Sequence, residues 1–156
     1  MEVKNKRSVI LLGHAQSGKT SLSEAILFKC GVTTRKGTIV EGNTVSDYNW
    51  DEIERKSSIN AGFMFCDFQG VRMQIVDTPG FADFYADVLS SLRAVDNAVV
   101  VIDAGAGVEV GTERVWQLLE EASIPRIIFV NKADKGVDKE KVLGEIKEVL
   151  SKHALE

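Results

Sequence analysis

Three short apolar runs, Val9 to Leu12, Ala98 to Ile102 and Ile127 to Val130, are rich in branched residues and bounded by polar or turn-forming positions. Such runs predict strands buried on both faces, the mark of a parallel sheet covered by helices. Between and after them the apolar spacing changes to the helical period: Leu22, Ala25 and Ile26; Tyr85, Val88, Leu89 and Leu92; Val115, Leu118, Leu119 and Ala122; Val142, Ile146, Val149 and Leu150. Strands alternating with helices predict a three-layer α/β fold. One pair departs from this rhythm. Phe63 and Phe65, then Val71, Met73 and Ile75, alternate with period two around Gln69-Gly70, which predicts an antiparallel hairpin with an edge strand folded back onto the parallel sheet. Residues 31–60 show neither period and are expected to form a long loop, functional or mobile.

Composition narrows the class. A chain of 156 residues that is 44% hydrophobic can close one core, so residues 1–156 read as one domain. The net charge of −4, with Lys and Arg spread along the chain, offers no patch for direct contact with nucleic acid or anionic lipid. The apolar run in "MEVKNKRSVILLG" is too short for a signal peptide, and no segment approaches membrane-spanning length. Cys30 and Cys66 lie far apart in sequence without a CxxC pair, and read as reduced thiols of a cytoplasmic protein that do no chemistry. No closing strand follows the last predicted helix before "KHALE", so the chain is expected to be the front part of a longer protein.

Three motifs carry chemistry. "GHAQSGKT", Gly13 to Thr20, follows the first strand and opens the first helix, the context a phosphate-binding loop requires. Its glycines let backbone N–H groups point at a phosphate, Lys19 brings positive charge to the β and γ phosphates, and the Thr20 hydroxyl can ligate Mg²⁺. "DTPG", Asp77 to Gly80, ends the hairpin; Asp77 can hold Mg²⁺ through water, and Gly80 can offer its N–H to a γ-phosphate. "NKAD", Asn131 to Asp134, follows a buried strand; the Asp134 carboxylate can accept the paired N1–H and exocyclic amine of guanine, which adenine lacks. Asn131 is expected to touch the base and neighbouring loops, and the Lys132 stem to lie along the ring. "GAGVEVG", Gly105 to Gly111, has GxGxxxG spacing and no acid ending the next strand, so it reads as a connection into the helix near Thr112 and not as a dinucleotide site. His14 reads as a loop-packing residue, His153 as a tail residue.

In this order, "GHAQSGKT", "DTPG" and "NKAD" resemble the amino-terminal GTP-binding domain of translational GTPases, elongation factor G above all. "DTPGFADF", "DAGAGVEVGTERVW" and "PRIIFVNKAD" extend the resemblance over most of residues 7–150. It implies a P-loop NTPase G domain, here without the closing strand and the last guanine-specificity loop, and therefore weaker nucleotide binding than a whole protein shows. It further implies a Mg²⁺-dependent GTPase that binds GTP and GDP as a cytoplasmic monomer and acts on the ribosome through domains beyond residue 156. Residues 31–60 would be switch I and 77–86 switch II. The nucleotide would be held by Gly13, His14, Ala15, Gln16, Ser17, Gly18, Lys19, Thr20 and Ser21, with Asp77, Thr78, Pro79, Gly80, Asn131, Lys132 and Asp134. Thr20 and Ser58 would ligate the metal, with Ser57 as the fallback, and Asp77 would act through water; Lys19 and Gly80 would be catalytic.

Two departures matter. Gln16 stands where Asp is frequent, which bears on an auxiliary cation or on phosphate geometry. Phe81 stands where the family usually has the His that orients the attacking water. A phenyl ring cannot do that, so binding is expected to persist while intrinsic turnover is low, with Asp83 and Tyr85 as substitutes to be weighed. Two other readings stay open: a non-hydrolysing GTP/GDP-binding module that recruits a partner, and a phosphate-loop ATPase.

Overall fold

A computed structural model of the chain describes residues 5–80 and 85–150. The elements in order are β1 (Lys6–Leu12), α1 (Lys19–Lys29), α2 (Trp50–Arg55), β2 (Gly62–Phe68), β3 (Val71–Asp77), α3 (Tyr85–Leu92), β4 (Asn97–Asp103), α4 (Val110–Glu121), β5 (Arg126–Asn131) and α5 (Lys139–Val149). The strands form one sheet in the order β2-β3-β1-β4-β5. All neighbours are parallel except β2 and β3, which pair as the hairpin expected from the period-two alternation.

Side chains alternate across the pleat and build two cores, one on each face. On one face Ile10, Leu12, Val76, Val100 and Ile102 meet Val88 and Leu92 of α3, Val115, Trp116 and Leu119 of α4, and Val142 and Ile146 of α5. On the other, Leu11, Met64, Cys66 and Ile75 meet Leu27 of α1, with Leu22 and Ile26 beside it. This is the three-layer α/β arrangement.

Three sequence expectations change in detail. The β5 run is not buried on both faces: Ile128 and Val130 join the first core, whereas Ile127 is 65% exposed and Phe129 39% exposed. The reason is position, because β5 lies at a sheet edge and α1 covers only the strands nearer β1. Residues 31–60 contain one short helix, α2, started by a capping box in which the Asn49 and Glu52 side chains satisfy each other's backbone N–H groups. The two cysteines, distant in sequence, share the second core. Burial pushes the Cys66 thiol up to about 12, and its neighbour Cys30 adds to the effect, so the thiolate needed for reaction is suppressed. Among the described residues no helix is long and apolar enough to cross a membrane.

Leu119→Ala removes a fully buried side chain and is expected to cost about 2–5 kcal/mol in urea unfolding. Phe63→Ala, at an exposed position on the edge strand, is expected to cost about 0.5 kcal/mol or less.

Candidate functional site: a phosphate-loop cleft

Parallel pairing decides where the motifs meet. Leu11 lies beside Asp77 across β1 and β3, and Asp103 beside Asn131 across β4 and β5, so the loops leaving these strands emerge at the same sheet edge. The chain order also reverses at β1, with β3 on one side and β4 on the other. In open α/β sheets that crevice is where ligands bind.

The loop 13–18 folds over this crevice. Gly18 has φ 100°, and a Cβ there would run into the Asn131 amide nitrogen, so only glycine lets the phosphate-type loop and the "NKAD" loop touch. Asn131 Nδ2 donates to the Ser17 carbonyl at 3.0 Å. Gly80 is equally confined: a Cβ would come within 2.6 Å of Ala15 Cα and 2.7 Å of Lys19 Nζ. The "DTPG" turn thus lies backbone-first against the phosphate-type loop. Thr78 fastens the two strand ends, its hydroxyl donating to the Leu11 carbonyl at 2.7 Å, and Pro79 is buried beside it. These loops and residues 56–58 enclose an open cleft of about 270 Å³.

Lys19 is buried at the first turn of α1 and donates to the carbonyls of Gly13 at 3.1 Å and His14 at 2.8 Å. Burial pulls its ammonium down to about 8, against the attraction of Asp77, Asp47 and Glu109. Asp77 is fully buried, and its Oδ2 accepts from Ser46 at 3.0 Å and Ser23 at 3.5 Å. Burial drives its carboxyl up to about 6, although Thr20 and Lys19 pull the other way and Asp47 adds repulsion. Among the described residues Asp77 Oδ1, Asp47 Oδ2 and Ser17 Oγ are buried without a hydrogen-bond partner. Thr20 Oγ1 and Ser58 Oγ lie 3.2 Å apart over this corner, whereas Ser57 is half-buried at the cleft wall.

The other expected residues are placed as follows. Ala15, Gln16 and Ser21 line the cleft, and Gln16 is exposed with φ 62°. His14 is half-buried against the start of α4, its Nε2 3.4 Å from the Glu109 carboxylate. Lys132 donates from Nζ to the Gln16 carbonyl at 2.8 Å and to Asp103 Oδ2 at 2.6 Å, bridging the "NKAD" loop, the phosphate-type loop and β4. Asp134 is exposed in the turn that follows β5. Phe81 and Asp83 lie outside the described residues.

Sequence reasoning missed Asp103, Asp47 and Ser46. Asp103 ends β4 and meets Lys132; burial raises its carboxyl, but hydrogen bonds from Lys132 and the Gly105 N–H outweigh that and hold it low. An acid ending a buried strand was a readable sign. Ser46 and Asp47 sit in an aperiodic stretch, where nothing in the spacing marks them; burial pushes the Asp47 carboxyl upward, opposed by the Ser58 and Ser46 hydroxyls.

The elongation factor Tu GTP-binding domain model matches residues 4–156. The chain belongs to this family. It is 41% identical over 145 residues to elongation factor G 2 of Streptomyces coelicolor, covering 92% of this chain and 21% of that protein. It is 42% identical over 148 residues to the mitochondrial ribosome-releasing factor 2 of Drosophila ananassae, covering 94% and 20%. Among solved structures, a Thermus thermophilus protein superimposes with a TM-score of 0.89 at 40% identity, over 92% of this chain and 22% of that one. The chain thus spans about one-fifth of the length of the relatives it matches. Membership makes a guanine nucleotide the ligand class of this GTP-binding domain fold.

The buried acid has a measurable consequence. Because Asp77 titrates near 6 in the fold against an ordinary 3.8, its ionised form opposes folding above pH about 6, and that penalty fades as pH falls toward the unfolded value. Asp77→Asn is therefore expected to stabilise the protein in EDTA by on the order of 3 kcal/mol at about pH 7.5, with the gain roughly halved at about pH 5. Thermal or urea unfolding at the two pH values checks both size and sign.

Proposed function

We propose that this chain is the nucleotide switch of an elongation factor G-like translational GTPase: it binds GTP and GDP with Mg²⁺ and hydrolyses GTP slowly by itself. The observation that carries this reading is the convergence of the three loops, with Gly18 against Asn131 and Gly80 against Ala15 and Lys19. The ribosome is the proposed partner of the longer protein in which this domain works, in line with the names of its relatives.

In this reading the N–H groups of residues 13–21 wrap the phosphates, and the Lys19 ammonium exchanges the Gly13 and His14 carbonyls for phosphate oxygens. Asp134 accepts the guanine N1–H and amine, Asn131 braces the base loop, and Lys132 lies under the base while its ammonium bridges to Gln16 and Asp103. Gly80 presents its N–H toward the γ-phosphate, with Thr78 and Pro79 holding that turn. Residues 31–60 serve as switch I and 77–86 as switch II within the single domain 1–156.

The donor set suits Mg²⁺. Thr20, Ser58 and Asp77 offer hard oxygens, and Asp77 Oδ1 and Asp47 Oδ2, buried without a hydrogen bond among the described residues, add negative charge beside them. Thr20 and Ser58 would hold the ion directly and Asp77 through water. Held there, a Mg²⁺ ion would supply positive charge to offset that of the nucleotide phosphates. Phe81 has no side-chain atom to orient the attacking water, which lowers turnover by about 10²–10⁴-fold while leaving binding intact. That residue also sustains the second reading, a GTP/GDP-binding module that does not hydrolyse.

A titration comparing GTP, GDP and ATP is expected to show guanine nucleotides binding, more weakly than to the longer protein, and no ATP competition. Lys19→Ala is expected to abolish single-turnover cleavage, and Asp134→Asn to remove the preference for guanine. ATP displacing GDP as well as GTP does, unaltered by Asp134→Asn, points to an ATPase instead. Phe81→His is expected to speed cleavage at least about 10-fold with little change in affinity; no cleavage by either form, even with ribosomes and the full-length protein, leaves the binding module.

A further inference from the structure

Glu24 lies on α1 one turn beyond Thr20, so the two side chains share a helix face. Its carboxylate is 1% exposed and forms no salt bridge among the described residues. Both oxygens instead accept backbone donors from the 31–60 segment: Oε2 from the Gly37 N–H at 2.9 Å and Oε1 from the Val45 N–H at 2.6 Å. A buried carboxylate is costly without such charge-assisted bonds, so the contact is as necessary to Glu24 as to the loop.

The loop is shaped to this contact. A Cβ on Gly37 would lie 2.5 Å from Glu24 Oε2 and 2.6 Å from the Asn43 carbonyl, which leaves room only for glycine. The arc between the two anchor points closes on itself, the Thr38 N–H donating to Asn43 Oδ1 at 2.8 Å and the Glu41 N–H to Thr38 Oγ1 at 3.2 Å. Val45 is followed directly by Ser46, which donates to Asp77 at 3.0 Å, and by Asp47. A second buried acid, Glu52, holds the far end of the segment by accepting the Ile59 and Asn60 N–H groups at 2.9 and 3.0 Å, next to Ser58.

We propose that Glu24 is a positioning residue, a latch that ties the 37–45 arc to α1 and thereby sets Ser46 and Asp47 over Thr20 and Asp77, so that a magnesium–nucleotide complex is retained. The proposal rests on the nucleotide-switch reading for its consequence, but the latch itself rests only on the chain's own contacts. Glu24 acts through Ser46 and Asp47, not by touching a ligand.

The test uses Glu24→Gln, which keeps the size but turns an N–H₂ group against one of the two backbone donors. Hydrogen exchange in EDTA without added nucleotide is expected to speed at least about 10-fold at the Gly37 and Val45 amides, with Ile59 and Asn60, held by Glu52, little changed. Release of a fluorescent GDP analogue is expected to speed about 10-fold in Mg²⁺ and to match wild type in EDTA. Gly37→Ala, which crowds the same contact from the loop side, is expected to reproduce the pattern if Glu24→Gln folds poorly. Unchanged exchange at Gly37 and Val45 overturns the latch. Faster exchange with unchanged release, or release accelerated equally in Mg²⁺ and EDTA, overturns its role in retaining the metal complex. A wild-type chain that binds no GDP analogue sinks the switch reading, while the exchange data still decide the latch.

Discussion

The approach of three backbones at one sheet edge is the constraint on which the site depends. Gly18 must admit the Asn131 side chain, and Gly80 must lie against Ala15 and Lys19. Neither contact survives a Cβ, and neither forms unless β1, β3, β4 and β5 are parallel and in the observed register. The two cores on opposite faces of the sheet serve this geometry by holding the strands so that their carboxyl ends are level. The motif residues are therefore positioned by packing some distance below them.

The same convergence concentrates charge out of water. Lys19, Asp77 and Asp47 are all buried, and each is shifted toward its neutral form chiefly by that burial. Mutual attraction between Lys19 and the two acids offsets only part of the desolvation. A site of this kind trades stability for readiness, since a charged ligand meets groups of each sign already in place. The second layer, Glu24 and Glu52, works differently. Their carboxylates accept backbone N–H groups, so they organise loop 31–60 without a salt-bridge partner among the described residues.

Much of this was legible in the chain. The apolar runs marked β1, β4 and β5, the period-two alternation around Gln69-Gly70 marked the hairpin, and glycines with Lys19, Asp77 and Asp134 at fixed spacings marked the motifs. These signals are local, arising from pleat, helical turn and backbone freedom within a few residues. α2 was missed although its capping pair, Asn49 and Glu52, stands in plain view, because a six-residue helix has too few apolar positions to show a period.

What the sequence determined by itself is the order of strands and longer helices, the family, and the kind of chemistry each motif can perform. Only the tertiary structure decided that Lys132 reaches Asp103, that Ser46 and Asp47 join Asp77, that Glu24 holds Gly37 and Val45, and that one face of β5 lies open. Those contacts join residues far apart along the chain. Their partners follow from strand order and loop path, which no short-range pattern encodes.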